Sequence, residues 1–248
     1  MEYLYKYYPI KDYALDNLNR EEICFNTMSA FNDIQEGKFN MQAKESDPYH
    51  LSESLAERLS EDFSDLIIFQ YRVLSLTTRY DMSYMWENYA QGGMGFCIEY
   101  NYHNLQNIST NIGRMDYRDN KAPHAYFEAP LDNARFIELV SEILFSKEEK
   151  WNNECEVRLI YKISQNEIEL TDMEEFLKHK WEKASEYEYM SDIITLNHYK
   201  SPKRIMKKCI PNKIYLGPNI NKDNEEKIRE IISNREYKCE KITGNCLL

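Results

Sequence analysis

The sequence predicts a single α+β domain, covering residues 1–248, in which helices flank a mixed or antiparallel sheet. Three observations lead to this prediction. Short segments with alternating apolar side chains, typical of strands, are interspersed with segments that have the helical period. No repeat and no linker divides the chain. Hydrophobic residues make up 42% of the 248 residues, which is enough to bury a sizeable core.

The strand predictions rest on alternation and on β-branched or aromatic side chains. Residues 3–7 alternate aromatic with other side chains and end before Pro9. Residues 95–100 are expected to form a central strand. The remaining predicted strands cover residues 22–26, 71–77, 113–117, 151–161, 210–216 and 237–242.

The predicted helices carry apolar side chains on one face. In residues 131–149 this stripe includes Ile137, Val140 and Leu144. The helix of residues 82–90 is expected to stop at Gly92, because glycine readily adopts the left-handed conformation that ends many helices. The others cover residues 13–19 with Asp12 as N-cap, 52–63, 101–108 after a turn, 172–189 and 223–233. Ahead of the strand predicted for residues 210–216, the basic residues 203–208 are expected to form a solvated loop.

Composition excludes several classes of protein. With only 7 glycines, the chain has neither a Walker-type nor a Rossmann-type phosphate loop. Its net charge of −11 argues against broad binding to anionic membranes or nucleic acid, although a local nucleic-acid contact is left open. There is no apolar run long enough to span a membrane and no signal-peptide pattern. We therefore expect a soluble cytoplasmic protein with no membrane partner.

The cysteines and histidines do not predict a metal site. The six cysteines are scattered without a C-x-x-C pair, and several fall in predicted strands, so we expect reduced core thiols. The five histidines also lack ligand spacing. No structural metal is expected.

The stretch of residues 151–161 combines two carboxylates and a guanidinium in one predicted strand. Taken as one strand with a period of two, it places Glu154, Glu156 and Arg158 on one face and an apolar row on the other. The two carboxylates are then about 7 Å apart by strand rise, and the guanidinium reduces their repulsion. Such a face is either a solvated edge or a functional site. Trp151, and the helix predicted before it, favour a site.

Four local patterns follow one another in an order that covers nearly the whole chain. They are the opening Tyr-x-Tyr with residues 31–33 (Phe-Asn-Asp), residues 85–90 leading to residues 95–100, Lys150-Trp151 with Glu154, Glu156 and Arg158, and residues 214–218. In these patterns the chain resembles the bacterial domain-of-unknown-function family 2971. The family usually continues Phe-Asn-Asp with proline and an aromatic residue, whereas this chain has Ile34 and Gln35 before Glu36. The family name carries no activity, so the resemblance implies a shared fold and not a function.

The order of three features is also similar to that in ADP-ribosyltransferases. Members of that superfamily begin with a strand whose side chain contacts NAD, continue with a strand carrying Ser or Tyr, and place a catalytic Glu on a later strand. The corresponding residues here are Tyr5 or Tyr7, Ser29 within residues 26–29, and Glu154-x-Glu156. The similarity implies a split sheet, NAD as a substrate, and an unknown acceptor that is a macromolecule or water. It also suggests a role in bacterial stress or phage defence.

A Glu-x-Glu pattern suits the cleavage of NAD. Breaking the glycosidic bond to nicotinamide builds positive charge on the ribose, and a nearby carboxylate stabilises that charge. We expect Glu156 to contact the ribose and Glu154 to take a proton from the acceptor. Glu156→Gln is then expected to lower activity by about 10²–10³-fold with little change in thermal stability.

The candidates for holding NAD are aromatic and arginine side chains. Tyr5, Tyr7 or Trp86 can stack on nicotinamide, and Arg72 or Arg158 can hold the pyrophosphate through two parallel hydrogen bonds. A structural role is favoured for two of these side chains. Trp86 suits a core contact, and Arg158 suits neutralising the glutamates beside it. Arg72 is ambiguous.

Two other functions stay open at this point. Asp33, Glu36, Glu154 and Glu156 can hold Mg²⁺ for phosphodiester cleavage. However, Arg158 stands where the common nuclease core has lysine, and arginine is not a base at neutral pH. Alternatively, the chain is a sensing or interaction domain without catalysis. That function predicts an exposed aromatic patch and no pocket beside Glu156.

Overall fold

The computed structural model describes residues 2–31, 40–42, 53–118, 124–126, 133–167, 169–170 and 199–242. Its strands are β1 (Tyr3–Tyr8), β2 (Glu22–Asn26), β3 (Asn40–Gln42), β4 (Tyr71–Thr77), β5 (Phe96–Asn101), β6 (Asn111–Arg114), β7 (Asp116–Arg118), β8 (His124–Tyr126), β9 (Ser146–Glu148), β10 (Glu156–Lys162), β11 (Glu169–Leu170), β12 (Tyr199–Lys200), β13 (Arg204–Lys208), β14 (Lys213–Leu216) and β15 (Lys238–Lys241). Its helices are α1 (Asp12–Arg20), α2 (Glu53–Gln70), α3 (Ser83–Tyr89), α4 (Tyr102–Ile108), α5 (Asn133–Leu144) and α6 (Lys222–Ile231). Short 3₁₀ helices cover Met28–Ala30, Glu149–Glu154 and Gln165–Glu167.

The main sheet has nine strands and is mostly antiparallel, which confirms the predicted class of mixed helices and strands. Seven of them follow the order β13-β2-β4-β1-β5-β14-β15, and β10 joins β4 to β6. Among the described strands of this sheet, only β14 and β15 run parallel. The predicted central position of β5 is confirmed, because it pairs with β1 on one side and with β14 on the other.

The sheet divides at β4. Along one edge, β4 pairs with β10 over its whole length. The opposite edge is shared by two strands, with Thr77 paired to Tyr5 of β1 and Val73 paired to Asn26 of β2. Because β1 and β2 occupy different ends of the same edge, they separate from each other and leave a gap beside the middle of β4.

Successive side chains of a strand point to opposite faces, and the buried residues follow this rule. Leu74 of β4 lies in a core cluster that also contains residues of α1, α4 and α6. Val73, its neighbour, lies in a second cluster with residues of α2 and α5. A third cluster joins Tyr7 of β1 to Trp86 of α3. Helices therefore cover both faces of the sheet, and the second and third clusters share one of those faces.

Several boundaries differ from the sequence prediction. The strand predicted for residues 151–161 is wrong in its first half, because Glu149–Glu154 is a 3₁₀ helix and β10 begins only at Glu156. The helix predicted for residues 131–149 ends at Leu144, and β9 follows it. The helix predicted for residues 52–63 continues to Gln70.

Three other predictions have separate outcomes. The basic residues 203–208 were expected in a loop, but most of them form β13, which pairs with β2 at the end of the sheet. Lys11 rather than Asp12 is the N-cap of α1. The helix predicted for residues 172–189 lies outside the described residues. Among the described residues, no helix combines the length and the apolar character needed to cross a membrane.

Candidate functional site

Cys155 turns the chain between two glutamates. Its backbone is left-handed, with φ 46° and ψ 45°, and its N–H donates to the carbonyl of Asn152 at 3.0 Å. The turn separates the 3₁₀ helix that ends at Glu154 from the strand that begins at Glu156. The two glutamates therefore belong to different elements and do not share a strand face as predicted.

Lys147 joins these two carboxylates. Its Nζ lies 2.7 Å from Oε2 of Glu154 and 3.2 Å from Oε2 of Glu156. The lysine is on β9, where it pairs with Tyr117 of β7, and only 9% of its side chain is exposed. Its Nζ also lies 5.0 Å from the centre of the Trp151 ring. One buried ammonium thus partly neutralises the negative charge of two buried carboxylates.

Glu156 has a second cationic partner in Arg158. The Nε of Arg158 donates to Oε1 of Glu156 at 3.0 Å, and Nη1 donates to the carbonyl oxygen of Leu144 at 2.8 Å. Burial by itself raises the pKa of Glu156, but the charges of Arg158 and Lys147 outweigh burial and lower this pKa from 4.5 to about 2. Glu156 is therefore a carboxylate at neutral pH, even though only 3% of the residue is exposed.

Two tyrosines fix the glutamates in place. The hydroxyl of Tyr89 donates to Oε1 of Glu154, and the hydroxyl of Tyr117 accepts from the N–H of Glu156 at 2.8 Å. Burial, followed by the hydrogen bond to Glu154, raises the pKa of Tyr89, so that the phenol stays protonated and continues to donate. Glu154 has both carboxylate oxygens engaged, one by Tyr89 and one by Lys147.

A cleft of about 130 Å³ opens beside these carboxylates. An engineered cavity of about 150 Å³ accommodates a benzene ring, so the cleft is about large enough for one six-membered or five-membered ring. Its walls come from β1, β4, α3, β9, the segment around the Cys155 turn and the residue that follows the first 3₁₀ helix. They are formed by Tyr5, Lys6, Tyr7, Phe31, Ser75, Leu76, Met85, Tyr89, Lys147, Trp151, Glu154 and Glu156.

Lys6 enters this cleft at the gap between β1 and β4. Its Nζ donates to the carbonyl oxygen of Ser75 at 2.8 Å. The side chain is partly buried. Burial, which disfavours the charged ammonium, lowers the pKa of Lys6, although Glu156 and Glu154 act in the opposite direction. Among the described residues, Lys6 forms no ion pair closer than 4.0 Å.

The structure brings four of the predicted site residues together. Tyr5, Tyr7, Glu154 and Glu156 all line the cleft, although they come from opposite halves of the chain. Tyr5 and Tyr7 point to one face of β1, and Glu156 belongs to β10 on the far edge of β4. Tyr7 also packs edge-on against Trp86, with 5.0 Å between ring centres.

The other four predicted residues are not among the described residues that line this cleft. Arg72 lies at the other end of β4 and donates to backbone carbonyls, including that of Pro202 at 2.6 Å. Arg158 is fully buried against Glu156. Trp86 is buried and donates to the carbonyl of Tyr80 at 2.8 Å. Ser29 is exposed, and its hydroxyl lies 3.2 Å from that of Thr27.

Sequence reasoning missed Lys6 and Lys147. A usable signal existed for Lys6, because a period of two puts it on the same face of β1 as Leu4 and Tyr8, which are both core residues. A lysine on a core-facing row needs an explanation. Lys147 carried no such signal, since it stood among charged residues at the end of a predicted helix.

The rival magnesium site cannot be assembled from the described residues. Asp33 and Glu36, two of its four proposed ligands, lie outside them. The other two, Glu154 and Glu156, are bound to Lys147. Within the described part of the chain, no three His, Cys, Asp or Glu side chains are placed to hold one ion.

Comparisons with known proteins bear on one part of the chain. Residues 85–159 match the family described as "Protein of unknown function (DUF2971)". This match supports the family resemblance predicted from the sequence patterns, two of which fall inside it. The matched segment contains Tyr89, Lys147 and both glutamates, whereas Lys6 lies outside it. No curated protein and no solved structure matches the chain. The similarity to ADP-ribosyltransferases stays a prediction.

Proposed function

We propose that this chain is an ADP-ribosyltransferase-like enzyme that cleaves NAD and transfers ADP-ribose to an acceptor. The observation that carries the proposal is the position of Glu156, an ionised carboxylate at the wall of an aromatic cleft that fits a single ring. The reacting end of NAD has two rings of this size, nicotinamide and ribose, and the cleft formed by the described residues has room for one of them. The remainder of NAD then extends beyond the volume that the described residues enclose.

The chemistry requires a negative charge close to the ribose. As the bond between C1′ and the nicotinamide nitrogen breaks, its electron pair neutralises the pyridinium and leaves positive charge on C1′ and the ring oxygen. A fixed carboxylate stabilises this charge more effectively than water does, because it needs no reorganisation. We assign this role to Glu156, whose orientation is set by Arg158 and by the hydroxyl of Tyr117.

The cations beside Glu156 have two opposing effects. They reduce its net charge, which weakens its attraction for the developing cation. They also keep it ionised in a buried position and fix its geometry, without which the charge would be neutralised by protonation. The second effect dominates in our proposal, since a protonated Glu156 offers no charge at all.

The walls of the cleft also support binding of a flat ring. Tyr5, Tyr7, Phe31 and Trp151 present aromatic surface on several sides. Aromatic pairs with offset or edge-on geometry contribute about 0.5–1.5 kcal/mol each beyond the buried area. A pocket beside Glu156 is also the feature whose absence was expected of a non-catalytic interaction domain.

The proposal is tested by incubating the purified protein with NAD that carries a label on its adenosine part. Nicotinamide release is followed by chromatography, and transfer is followed by label on lysate macromolecules. The matched control is Glu149→Gln, which removes an exposed carboxylate of the same 3₁₀ helix. We expect both the wild-type protein and this control to release nicotinamide.

The other outcomes of this experiment are informative. Release without label transfer identifies water as the acceptor and the protein as an NAD glycohydrolase. Neither release nor transfer overturns the proposal and favours an interaction domain. Magnesium-dependent cleavage of DNA or RNA that is lost on chelation favours the nuclease.

A further inference from the structure

Among the described residues that line the cleft, one amine has no carboxylate within 4.0 Å. Two carboxylates, Glu154 and Glu156, are matched by two cations, Lys147 and Arg158. Lys6 reaches the cleft as a further basic group and donates one hydrogen bond to a neutral carbonyl, that of Ser75. Within the described part of the chain, the charges of these five side chains balance when Lys6 is neutral, and leave an excess of one positive charge when it is protonated.

The groups that face Lys6 come from four elements. Cys24 of β2, Glu156 of β10 and Glu154 of the 3₁₀ helix favour the ammonium, whereas Lys147 of β9 disfavours it. Burial is the largest influence and also disfavours the ammonium, so the pKa of Lys6 is lowered. Lysines that are desolvated beside another cation serve as bases and nucleophiles in enzymes for this reason.

We infer that Lys6 is the general base of the cleft and removes the proton from the acceptor as it attacks the ribose. This inference rests on the proposed function. The lone pair of Nζ takes the proton from an acceptor O–H or N–H. The acceptor atom forms a bond to C1′, and the bond from C1′ to nicotinamide breaks, releasing neutral nicotinamide. The ammonium of Lys6 then loses its proton to water.

The glutamates are poorer candidates for this step. Glu154, the base predicted from the sequence, has both oxygens engaged by Tyr89 and Lys147. Glu156 binds Arg158 and Lys147, and a carboxylate with a pKa of about 2 takes up a proton weakly at neutral pH. Arg158 cannot act as a base at neutral pH. Lys6 is thus the basic group of the described cleft that has a lone pair to offer once it is neutral.

The first test does not depend on activity. Trace acetylation with acetic anhydride at a series of pH values, followed by mass spectrometry, reports the titration of each lysine in the wild-type protein. Lys11, which is exposed at the start of α1, serves as the internal reference. We expect the reactivity of Lys6 to reach its plateau at a lower pH than that of Lys11. Titration of Lys6 at or above the pH of Lys11 overturns the inference.

The second test compares two substitutions under NAD turnover. Lys6→Met removes the base, and Lys6→Arg keeps the positive charge and the donors but cannot accept a proton near neutral pH. We expect both to lower turnover by about 10²-fold or more, the usual scale of general-base catalysis. Lys11→Met is the matched control. Thermal unfolding of each variant confirms that it is folded.

The pattern of results separates the possibilities. Added primary amines are expected to restore part of the activity of Lys6→Met, because a small amine can occupy the vacated space and accept the proton. Full activity in Lys6→Arg means that Lys6 supplies only charge, and overturns the inference. Full activity in Lys6→Met together with loss in Glu154→Gln returns the role to Glu154. If wild-type protein releases no nicotinamide, the proposed function and the role of Lys6 both fail. The acetylation profile still shows the pH at which the Lys6 amine titrates.

Discussion

Glu154 and Glu156 are separated in the chain by one residue, Cys155, and both of their carboxylates bind the single ammonium of Lys147, at 2.7 Å and 3.2 Å. The left-handed backbone of Cys155 allows both carboxylates to reach Lys147. An extended residue at this position would have placed the two glutamates side by side on one face of a single strand. With Arg158, these side chains form a charged cluster whose members are at most 9% exposed. Under the proposed function, stability and catalysis are therefore coupled at this cluster.

Lys147→Met is expected to destabilise the protein by about 3–5 kcal/mol, because it leaves two buried carboxylates with Arg158 as the remaining close cation. The matched control is Lys150→Met, since the Lys150 side chain is 61% exposed. That change is expected to lower stability by no more than about 1 kcal/mol. Urea unfolding of the two variants measures the difference. Equal effects of the two substitutions would show that the cluster is not held by Lys147.

Glu156→Gln is expected to lower stability by about 3 kcal/mol or more, because it leaves Arg158 buried without its carboxylate. This corrects the expectation from sequence that stability would barely change, which assumed a charge facing solvent. The double substitution Glu156→Gln with Arg158→Met removes both charges and is expected to recover part of the loss. If Glu156 stabilises the ribose cation, activity stays absent in the double variant although the fold returns. If the double variant recovers NAD cleavage together with its stability, Glu156 has a structural role only.

Acid is expected to weaken the fold through Glu156. Its pKa is lowered from 4.5 to about 2 in the folded protein, so it contributes stability above pH 4.5 that is lost as the pH falls toward 2. A shift of this size corresponds to about 3 kcal/mol. Urea unfolding between pH 7 and pH 3 measures the slope, and the double variant without Glu156 and Arg158 should show a shallower one. An unchanged slope in that variant would place the acid sensitivity elsewhere.

Cys155 provides a test of the turn itself. Cys155→Val places a β-branched side chain at φ 46°, where such residues are strongly disfavoured, and is expected to destabilise the protein by about 1–2 kcal/mol. Cys155→Gly suits this conformation and is expected to be neutral or up to about 1 kcal/mol more stable. Thermal unfolding compares them. A glycine variant less stable than the valine variant would contradict the role of the backbone conformation.

The strands were the most predictable part of the fold because alternation and side-chain type act locally. β2 and β4 have the predicted boundaries. Glu156 and Arg158 alternate along β10 so that they share one face, as predicted. The turn before β10 was not predictable. Cysteine is not enriched in the left-handed region, whereas a glycine or asparagine at position 155 would have signalled a break in the strand.

The site was predictable only in part, because its partners are far apart in sequence. The glutamates were found from their own spacing and charge. Their cation was not, since Lys147 reaches them through the pairing of β9 with β7, which no local pattern encodes. The predicted roles of Arg72 and Trp86 assumed exposed side chains, whereas both are buried and donate to backbone carbonyls.

The position of β1 in the middle of the sheet has a consequence for folding. Lys6 and Ser75, whose contact closes one side of the cleft, are 69 residues apart, and Glu156 follows later still. Contacts between such distant residues form slowly, because a long loop must close first. During synthesis, β4, β5 and β10 must be made after β1 before Lys6 and Glu156 can line the same cleft. A partly made chain therefore has no assembled cleft, and any chemistry at this site begins only once β10 has been made.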